Sequence, residues 1–361
     1  MKRRHALASL LAGIGTPAGL RAATADALDT ASRLIQQQVD AGILQAATLH
    51  VQRGDRIHQK AFGQAKTDSM FLLGSITKPL TATAAMLLVE RGELKLDDPA
   101  VKYLPEFSQG ARREITLRHL LTHTSGLPDQ LENNDELRAR HAPLADFVAG
   151  AMRTPLLFQP GTKYHYQSMG ILLAAEIVER LTHARLPDFL AAEVFRPLGM
   201  KRSVLGLGCF RKSEMVSMQT EHAATEAGAG KPGTQTWDWN SDYWRNLAAP
   251  WGGAHSSAAD VATFLHSFLQ PAGKVLRPET AALMVRNHTP GMAASRGLGF
   301  MVGPTGFATT CSAQTFGHSG STGTLAWVDP AAKLSFVLLT SLPKKVSGEL
   351  LLKPVAESIG G

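Results

Sequence analysis

The chain has 361 residues, of which 44% are hydrophobic and 19% are charged, and its formal net charge is +7. This length and apolar content allow a large buried core and exclude a disordered, collagen-like or solenoid chain. The basic residues form no stripe beyond the N-terminus, which argues against a nucleic-acid-binding protein.

The first 25 residues have the composition of a secretory signal peptide. Basic residues starting at Lys2 precede a modestly apolar run over 6–20, and small residues around Ala25 offer a cleavage site. The run is too short and too rich in glycine to be a stable membrane span. Two adjacent arginines also fit a twin-arginine signal, so the export route stays open. We predict a leader over 1–25, a mature domain over 26–361 with formal charge +3, and a periplasmic or secreted protein.

The first predicted elements are a helix, a hairpin and a second helix. Apolar positions three or four apart, followed by glycine, predict a helix over 28–41. Two β-rich runs, 47–53 and 56–62, flank a Gly-Asp dipeptide typical of a two-residue hairpin turn. A longer helical pattern then covers 75–92, and glycine again ends it. We expect this second helix to pack on the sheet that contains the hairpin.

The middle of the chain is mostly helical, and the last hundred residues are rich in strands. Further helices are predicted over 116–123, 144–152, 170–181, 186–195, 259–268 and 355–359, and strands over 297–302, 324–328 and 334–340. Segment 221–233 lacks periodicity and is predicted to be a mobile loop. Four tryptophans over 237–251 favour packing over a pocket lining. The pattern predicts an α+β sandwich, with an antiparallel sheet of N- and C-terminal strands flanked by helices and a helical subdomain inserted.

The 75–92 helix opens with a candidate nucleophile. Ser75 and Lys78 lie three residues apart, so one helical turn places both side chains on the same face. At a helix N-terminus the unpaired N–H groups and the dipole favour negative charge, which suits an activated hydroxyl. Pro79 disfavours α geometry at Lys78, so we expect an irregular start. Taken alone, the pair is better explained as a serine that caps the helix and a lysine that faces water than as a nucleophile and its activating amine.

Two later segments supply partners for this pair. Within 160–170 a turn leads to Tyr166, just ahead of a predicted helix. Segment 317–323 is a strand fragment so dense in glycine that its backbone must approach another group closely. The chain thus holds Ser75-x-x-Lys78, Tyr166-x-Ser168 and His318-Ser319-Gly320, in that order.

These three motifs resemble those of the serine β-lactamase and penicillin-binding protein family. They look like its S-x-x-K, Y-x-N and H-T-G or K-T-G motifs, in the branch of class C β-lactamases, DD-carboxypeptidases and family VIII esterases. The resemblance to the family also extends to segments 92–99, 119–127, 197–200 and 252–257. In total it covers roughly residues 30–345. The resemblance implies a β-lactamase/transpeptidase-like fold and a serine hydrolase.

The resemblance also implies roles for seven residues. The catalytic residues would be Ser75, Lys78 and Tyr166, and the substrate or oxyanion residues would be Ser321, His318, Ser168 and Gly320. The serine would attack a carbonyl carbon and become acylated. Lysine and tyrosine, with usual pKa values of about 10.4 and 10, would share its proton. The N–H groups of Ser75 and Ser321 would form the oxyanion hole, with His318 across the cleft.

Two departures from the family pattern bear on the substrate. Ser168 stands where the family has asparagine, which removes an amide expected to touch Lys78 and the substrate. His318 in place of lysine exchanges a permanent charge for a group that titrates near neutral pH, so carboxylate-bearing substrates should bind less tightly at high pH.

The favoured function is hydrolysis of a small ester or amide through an acyl-enzyme, with no cofactor. The first alternative is a DD-carboxypeptidase acting on D-amino-acid peptides, or a class C-like β-lactamase. The second is a non-catalytic protein that binds peptidoglycan fragments or penicillin. Retention of Ser75, Lys78 and Tyr166 together favours catalysis.

The sequence gives weaker indications about a metal site, a disulfide and another hydrolase fold. His119 and His123 have the spacing of two zinc ligands on a helix, but no glutamate lies between them, so no metal is expected. Cys209 and Cys311 could pair in an oxidising compartment, and their spacing does not decide the matter. The absence of a Gly-x-Ser-x-Gly elbow argues against an α/β-hydrolase.

Overall fold

The structure, a computed structural model, describes residues 25–360, so the predicted leader lies outside it except for Ala25. The helices are α1 Ala25–Asp40, α2 Thr77–Glu90, α3 Leu117–Leu121, α4 Asn134–Ala139, α5 Leu144–Arg153, α6 Met169–Thr182, α7 Leu186–Leu190, α8 Arg196–Leu198, α9 Asp242–Leu247, α10 Ala258–Leu269, α11 Pro278–Val285, α12 Lys344–Ser347 and α13 Lys353–Gly360. The strands are β1 Ala46–Arg53, β2 Arg56–Gly63, β3 Phe71–Leu72, β4 Ser203–Leu205, β5 Ala254–Ser256, β6 Met301–Val302, β7 Phe316–Gly320, β8 Thr324–Asp329 and β9 Leu334–Thr340.

One antiparallel sheet joins strands from the two ends of the described chain. Its order is β2-β1-β9-β8-β7-β6, so the N-terminal hairpin pairs with the C-terminal strands. The hairpin closes with Arg53 opposite Arg56, and Gly54 takes the positive φ of 56° that so tight a turn needs. A smaller sheet, β3-β5-β4, lies where the chain enters α2. The predicted α+β architecture is confirmed.

Each face of the large sheet has its own hydrophobic core. Side chains alternate along β9, so Phe336 and Leu338 pack with Ile35 of α1 and Val355 of α13. Val337, between them, belongs to the larger core on the other face, which includes α2, α6 and α10. The sheet is therefore sandwiched between a thin helical layer and the inserted helices.

The structure changes two predicted elements. The strand predicted over 297–302 is reduced to Met301–Val302, because Gly299 has a φ of +80° and the preceding residues form a turn. The helix predicted over 116–123 ends at Leu121, because His123 takes a left-handed φ of 61°.

The structure bears on three further predictions. Segment 221–233 contains only short 3₁₀ turns and is therefore a loop, while its predicted mobility stays a prediction. The four tryptophans over 237–251 are all buried, so they pack in the interior. Cys209 is exposed, Cys311 is buried, and both are free thiols. Within residues 25–360 no helix is both long enough and apolar enough to cross a membrane.

Candidate active site

The turn between β3 and α2 presents Ser75. Gly74 has a φ of +55°, a left-handed conformation that favours glycine, and a 3₁₀ turn over Gly74–Ile76 precedes α2. The helix is thus preceded by a 3₁₀ turn, but Lys78 itself lies inside α2, so the irregularity is not at the residue that Pro79 is expected to disturb. A Cβ on Gly74 would lie 3.2 Å from the Cα of Gly320 and 3.3 Å from the amide nitrogen of Ser321. The missing side chain lets the chain after β7 approach the turn, where Ser75 is half-buried.

Lys78 is fully buried, and its amine reaches Ser75. The Nζ atom donates to Ser75 Oγ at 3.0 Å and to the carbonyl oxygen of Trp251 at 3.0 Å. Among residues 25–360 no carboxylate pairs with this amine. The alternative in which Lys78 faces water is wrong, because the residue is 0% exposed. An amine held beside a partly exposed hydroxyl is the arrangement that nucleophile activation requires.

Tyr166 lies against Lys78 in the same cleft. The Lys78 Nζ atom is 4.8 Å from the centroid of its ring, and the ring centroid of His123 is 4.7 Å away. The backbone nitrogen of Gln167 donates to His123 Nδ1 at 3.2 Å, and Ser125 Oγ donates to Gln167 Oε1 at 2.7 Å. These bonds tie the start of α6 to the segment after α3 and so set the position of Tyr166.

Ser168 contacts a carboxylate. Its Oγ donates to Asp129 Oδ1 at 2.7 Å, and its N–H donates to the Asp129 carbonyl oxygen at 3.3 Å. The Ser168 side chain is buried, and no hydrogen bond joins it to Lys78 in the described chain. The structure thus gives Ser168 a partner that the sequence does not indicate, and Asp129 adds a carboxylate near the cleft.

Strand β7 brings the third motif to the cleft. The ring centroid of His318 is 6.2 Å from that of Tyr166. His318 Nδ1 lies 2.7 Å from the carbonyl oxygen of Ser319, so this nitrogen carries the proton of the neutral ring. Gly320 packs on the Leu73 carbonyl, where a Cβ would lie 2.2 Å from the oxygen. The close backbone approach predicted from the glycine-rich sequence is therefore present, between Gly320 and the Leu73 carbonyl.

The expectation that His318 titrates near neutral pH is wrong. Burial lowers its pKa well below 6.5, and the positive charges of Arg296 and Lys78 lower that pKa further. The imidazole is therefore neutral across the physiological range. It cannot supply the pH-dependent charge for a substrate carboxylate that the sequence suggests.

Two further residues belong to this cluster. His123 is buried, and burial followed by the charge of Arg296 holds its pKa well below 6.5. Arg296 places its guanidinium carbon 5.1 Å from the ring centroid of Tyr164 and 5.5 Å from that of Tyr166. Its Nη2 atom donates to the Tyr164 hydroxyl. His123 lies in a segment that the sequence singles out, whereas no motif marks Arg296.

The paired histidines do not form a metal site. His119 Nδ1 accepts a hydrogen bond from the Thr116 amide at 3.3 Å, while His123 lies beyond the end of α3. Within the range that the structure covers, no group of three or more His, Cys, Asp or Glu side chains could hold a metal ion.

Known proteins share this sequence pattern over most of the chain. The family model described as Beta-lactamase matches residues 31–357. The esterase EstB of Burkholderia gladioli is 30% identical over 347 residues, which cover 82% of this chain and 85% of the esterase. A protein of Escherichia coli K12 named "Putative D-alanyl-D-alanine carboxypeptidase" is 28% identical over 360 residues, covering 88% of this chain and 82% of that protein.

Solved structures share the fold. EstCE1, a hydrolase with promiscuous acyltransferase activity, superposes with a TM-score of 0.75 at 22% identity and covers 93% of this chain and 98% of its own. The D-amino acid amidase of Ochrobactrum anthropi superposes with a TM-score of 0.72 at 21% identity and covers 92% of this chain and 99% of its own. The chain therefore belongs to the beta-lactamase family, a family of serine hydrolases that includes esterases.

Proposed function

We propose that this protein hydrolyses small esters or amides through an acyl-enzyme on Ser75. The observation that carries the proposal is the 3.0 Å hydrogen bond from the buried Lys78 amine to the partly exposed Ser75 hydroxyl. A buried amine without a carboxylate partner costs stability, so its place beside a hydroxyl argues for a chemical role.

The reaction starts with attack of Ser75 Oγ on the substrate carbonyl carbon. The O–H bond of Ser75 breaks as the new C–O bond forms, and the proton passes to the pair formed by Lys78 and Tyr166. The same pair returns a proton to the leaving alcohol or amine, which departs as the acyl-enzyme forms. Water then attacks the acyl carbon and gives a proton to the pair. The bond from that carbon to Ser75 Oγ breaks, the acid leaves, and the pair returns the proton to Ser75 Oγ.

Two backbone amides fit the charge that develops on the carbonyl oxygen. We assign this task to the N–H groups of Ser75 and Ser321. Ser321 N lies 3.3 Å from the position of a Cβ on Gly74, so the two peptide segments are in contact. The close packing of Gly320 on Leu73 supports this arrangement, because it draws β7 against the nucleophile's turn.

The residues around the cleft favour a substrate that needs no fixed charge from the third motif. His318 is neutral, and Ser168 offers its hydroxyl to Asp129 in place of an amide for the substrate. Both features remove contacts that the resemblance links to β-lactam and peptide recognition. We therefore place small esters and amides ahead of cephalosporins and D-alanyl peptides.

A substrate panel with mass detection tests this proposal. The wild type, Ser75→Ala and the exposed-serine control Ser213→Ala are each mixed with phenyl acetate, a chromogenic cephalosporin and a D-Ala-D-Ala peptide. We expect turnover of the ester and a transient acyl adduct in the wild type and control, and neither in Ser75→Ala. Faster turnover of the cephalosporin or the peptide would replace the ester assignment. Stoichiometric labelling without turnover would mean a binding protein.

A further inference from the structure

Arg296 is a buried cation beside the proposed catalytic tyrosine. The residue is 8% exposed, and its Nε and Nη1 atoms have no hydrogen-bond partner. Its Nη2 atom donates to the Tyr164 hydroxyl, which is neutral. No Asp or Glu side chain between residues 25 and 360 forms an ion pair with this guanidinium. A buried charge left without a counter-ion destabilises a fold, so its retention calls for a reason.

Arg245 shows how a structural buried arginine is accommodated. Its guanidinium donates to the carbonyl oxygens of Trp239 and Val216 and to the side-chain oxygen of Asn240. These acceptors replace much of the lost hydration. Arg296 instead meets one phenol and the faces of two aromatic rings. Its surroundings therefore do little to compensate its charge in the resting protein.

The ring of Tyr166 lies close to two basic side chains. Its ring centroid is 4.8 Å from Lys78 Nζ and 5.5 Å from the guanidinium carbon of Arg296. The titratable and charged groups of the elements packed in this cluster are Lys78 of α2, His123 after α3, Asp129 and Tyr164 before α6, Arg296 before β6, His318 of β7, and Lys344 of α12, whose Nζ donates to Ser319 Oγ at 2.8 Å.

The two histidines of this set add no positive charge. Burial holds the pKa of both His123 and His318 well below 6.5, and Arg296 is the largest electrostatic contributor after burial in each case. Asp129 is engaged by the Ser168 hydroxyl. The Tyr166 ring is therefore the group against which both Lys78 and Arg296 lie.

We propose that Arg296 is a positioning residue that acts through Tyr166. This inference rests on the proposed function. The Ser75 O–H bond breaks as its proton passes to the pair formed by Lys78 and Tyr166, and the permanent charge of Arg296, held against the Tyr166 ring, favours the form of that pair that can accept the proton. The resemblance sets His318 at the position of the lysine in a K-T-G motif. Here His318 is neutral, and Arg296 places a permanent charge against the Tyr166 ring from another segment.

The pH dependence of acylation tests this role. Phenyl acetate is used because it is neutral and cannot bind the guanidinium as an anion. Rates of acylation are measured from pH 5.5 to 10 for the wild type, Arg296→Met and Arg296→Lys. We expect Arg296→Met to be about tenfold to a hundredfold slower at pH 7, with its half-maximal rate shifted about one to two pH units upwards. Arg296→Lys should restore much of both losses, and kcat should change more than KM.

Arg245→Met is the matched control, because it removes a buried arginine from outside the cleft. It should lower the melting temperature without moving the half-maximal pH. An Arg296→Met protein that is folded, slower and unshifted in pH would overturn the proposal in favour of a structural role. A selective rise in KM for a carboxylate-bearing ester, again without a pH shift, would overturn it in favour of substrate binding. Failure of the wild type to form an acyl adduct would instead refute the proposed function itself.

Discussion

Lys78 is unfavourable for the stability of the fold, but the proposed chemistry requires it. Its amine is buried and has two hydrogen-bond partners, neither of which is an anion. Burial of an ammonium group costs free energy unless an opposite charge compensates it. In the proposed mechanism the same contact activates Ser75. If that mechanism is right, Lys78 lowers the stability of the fold in return for activity.

Replacing Lys78 with methionine should make the protein more stable and almost inactive. Methionine fills a similar volume without the desolvation cost, so we expect the free energy of unfolding to rise by about 0.5–2 kcal/mol. Loss of one member of the pair that accepts the Ser75 proton should slow acylation about a hundredfold to ten-thousandfold. Urea unfolding and stopped-flow acylation measure the two effects. A variant that is less stable by a similar amount, or that acylates normally, would contradict this account of Lys78.

Exchange of His318 for glutamine should leave the shape of the pH–rate profile unchanged. The imidazole is neutral because burial and the nearby cations hold its pKa well below 6.5. Glutamine can keep the hydrogen bond to the Ser319 carbonyl that His318 Nδ1 now makes. The rate of ester hydrolysis measured from pH 5 to 8 should therefore scale by one factor throughout. If the wild-type profile has a limb between pH 5 and 8 that the variant lacks, His318 does titrate in that range.

At the scale of elements, the site depends on the contact between the turn before α2 and the end of β7. Gly320 and Leu73 meet backbone to backbone, and Thr324 Oγ1 donates to the same Leu73 carbonyl at 2.7 Å. A backbone contact cannot adjust as a flexible side chain can. The geometry of the proposed oxyanion hole therefore follows from the absence of a side chain at position 320.

Substitution of Gly320 by alanine should separate these two segments. The added Cβ would lie 2.2 Å from the Leu73 oxygen, so the backbone must shift, at a cost of about 1–3 kcal/mol in stability. Acylation should fall at least about a hundredfold as the amide donors move. Gly348→Ala is the control, because its nearest neighbour would be 3.7 Å away. Thermal melts and acylation rates that are equal in the two variants would contradict this explanation.

The sequence predicts this part of the structure well because its signals are local. Ser75 and Lys78 are one helical turn apart, and the glycines around 320 mark a close backbone approach without revealing its partner. Arg296 reaches Tyr164 across 132 positions, and the Ser168 bond to Asp129 spans 39. Such contacts are set by packing between distant segments, so neither Arg296 nor Asp129 can be found from spacing alone.

Burial of several histidines is a property of the whole molecule. Burial lowers the pKa of His50 to about 4 and that of His255 to about 3. It also lowers the pKa of four others, which are His119, His123, His288 and His318. In the unfolded chain each would bind a proton near pH 6.5. The folded protein therefore holds these rings neutral at pH values where the unfolded chain does not.

Acidification should destabilise the protein from about pH 6.5 downwards. The unfolded state binds protons there that the folded state excludes, so the stability present above pH 6.5 is lost as pH falls towards the folded pKa values. Each fully excluded proton contributes about 1.4 kcal/mol per pH unit. Urea unfolding at pH 7.5, 6 and 5 measures the slope, and His255→Asn should reduce it by about one proton. A free energy of unfolding independent of pH over this range would contradict the burial of these rings.

Acylation of Ser75 with the help of Lys78 is the step on which the proposed function depends. Intact-mass analysis during ester turnover, followed by peptide mapping, detects it. We expect one acyl group on the peptide that contains Ser75, no adduct in Ser75→Ala, and slow adduct formation in Lys78→Met. An adduct on another peptide, or ester hydrolysis that continues in Ser75→Ala, would refute this mechanism.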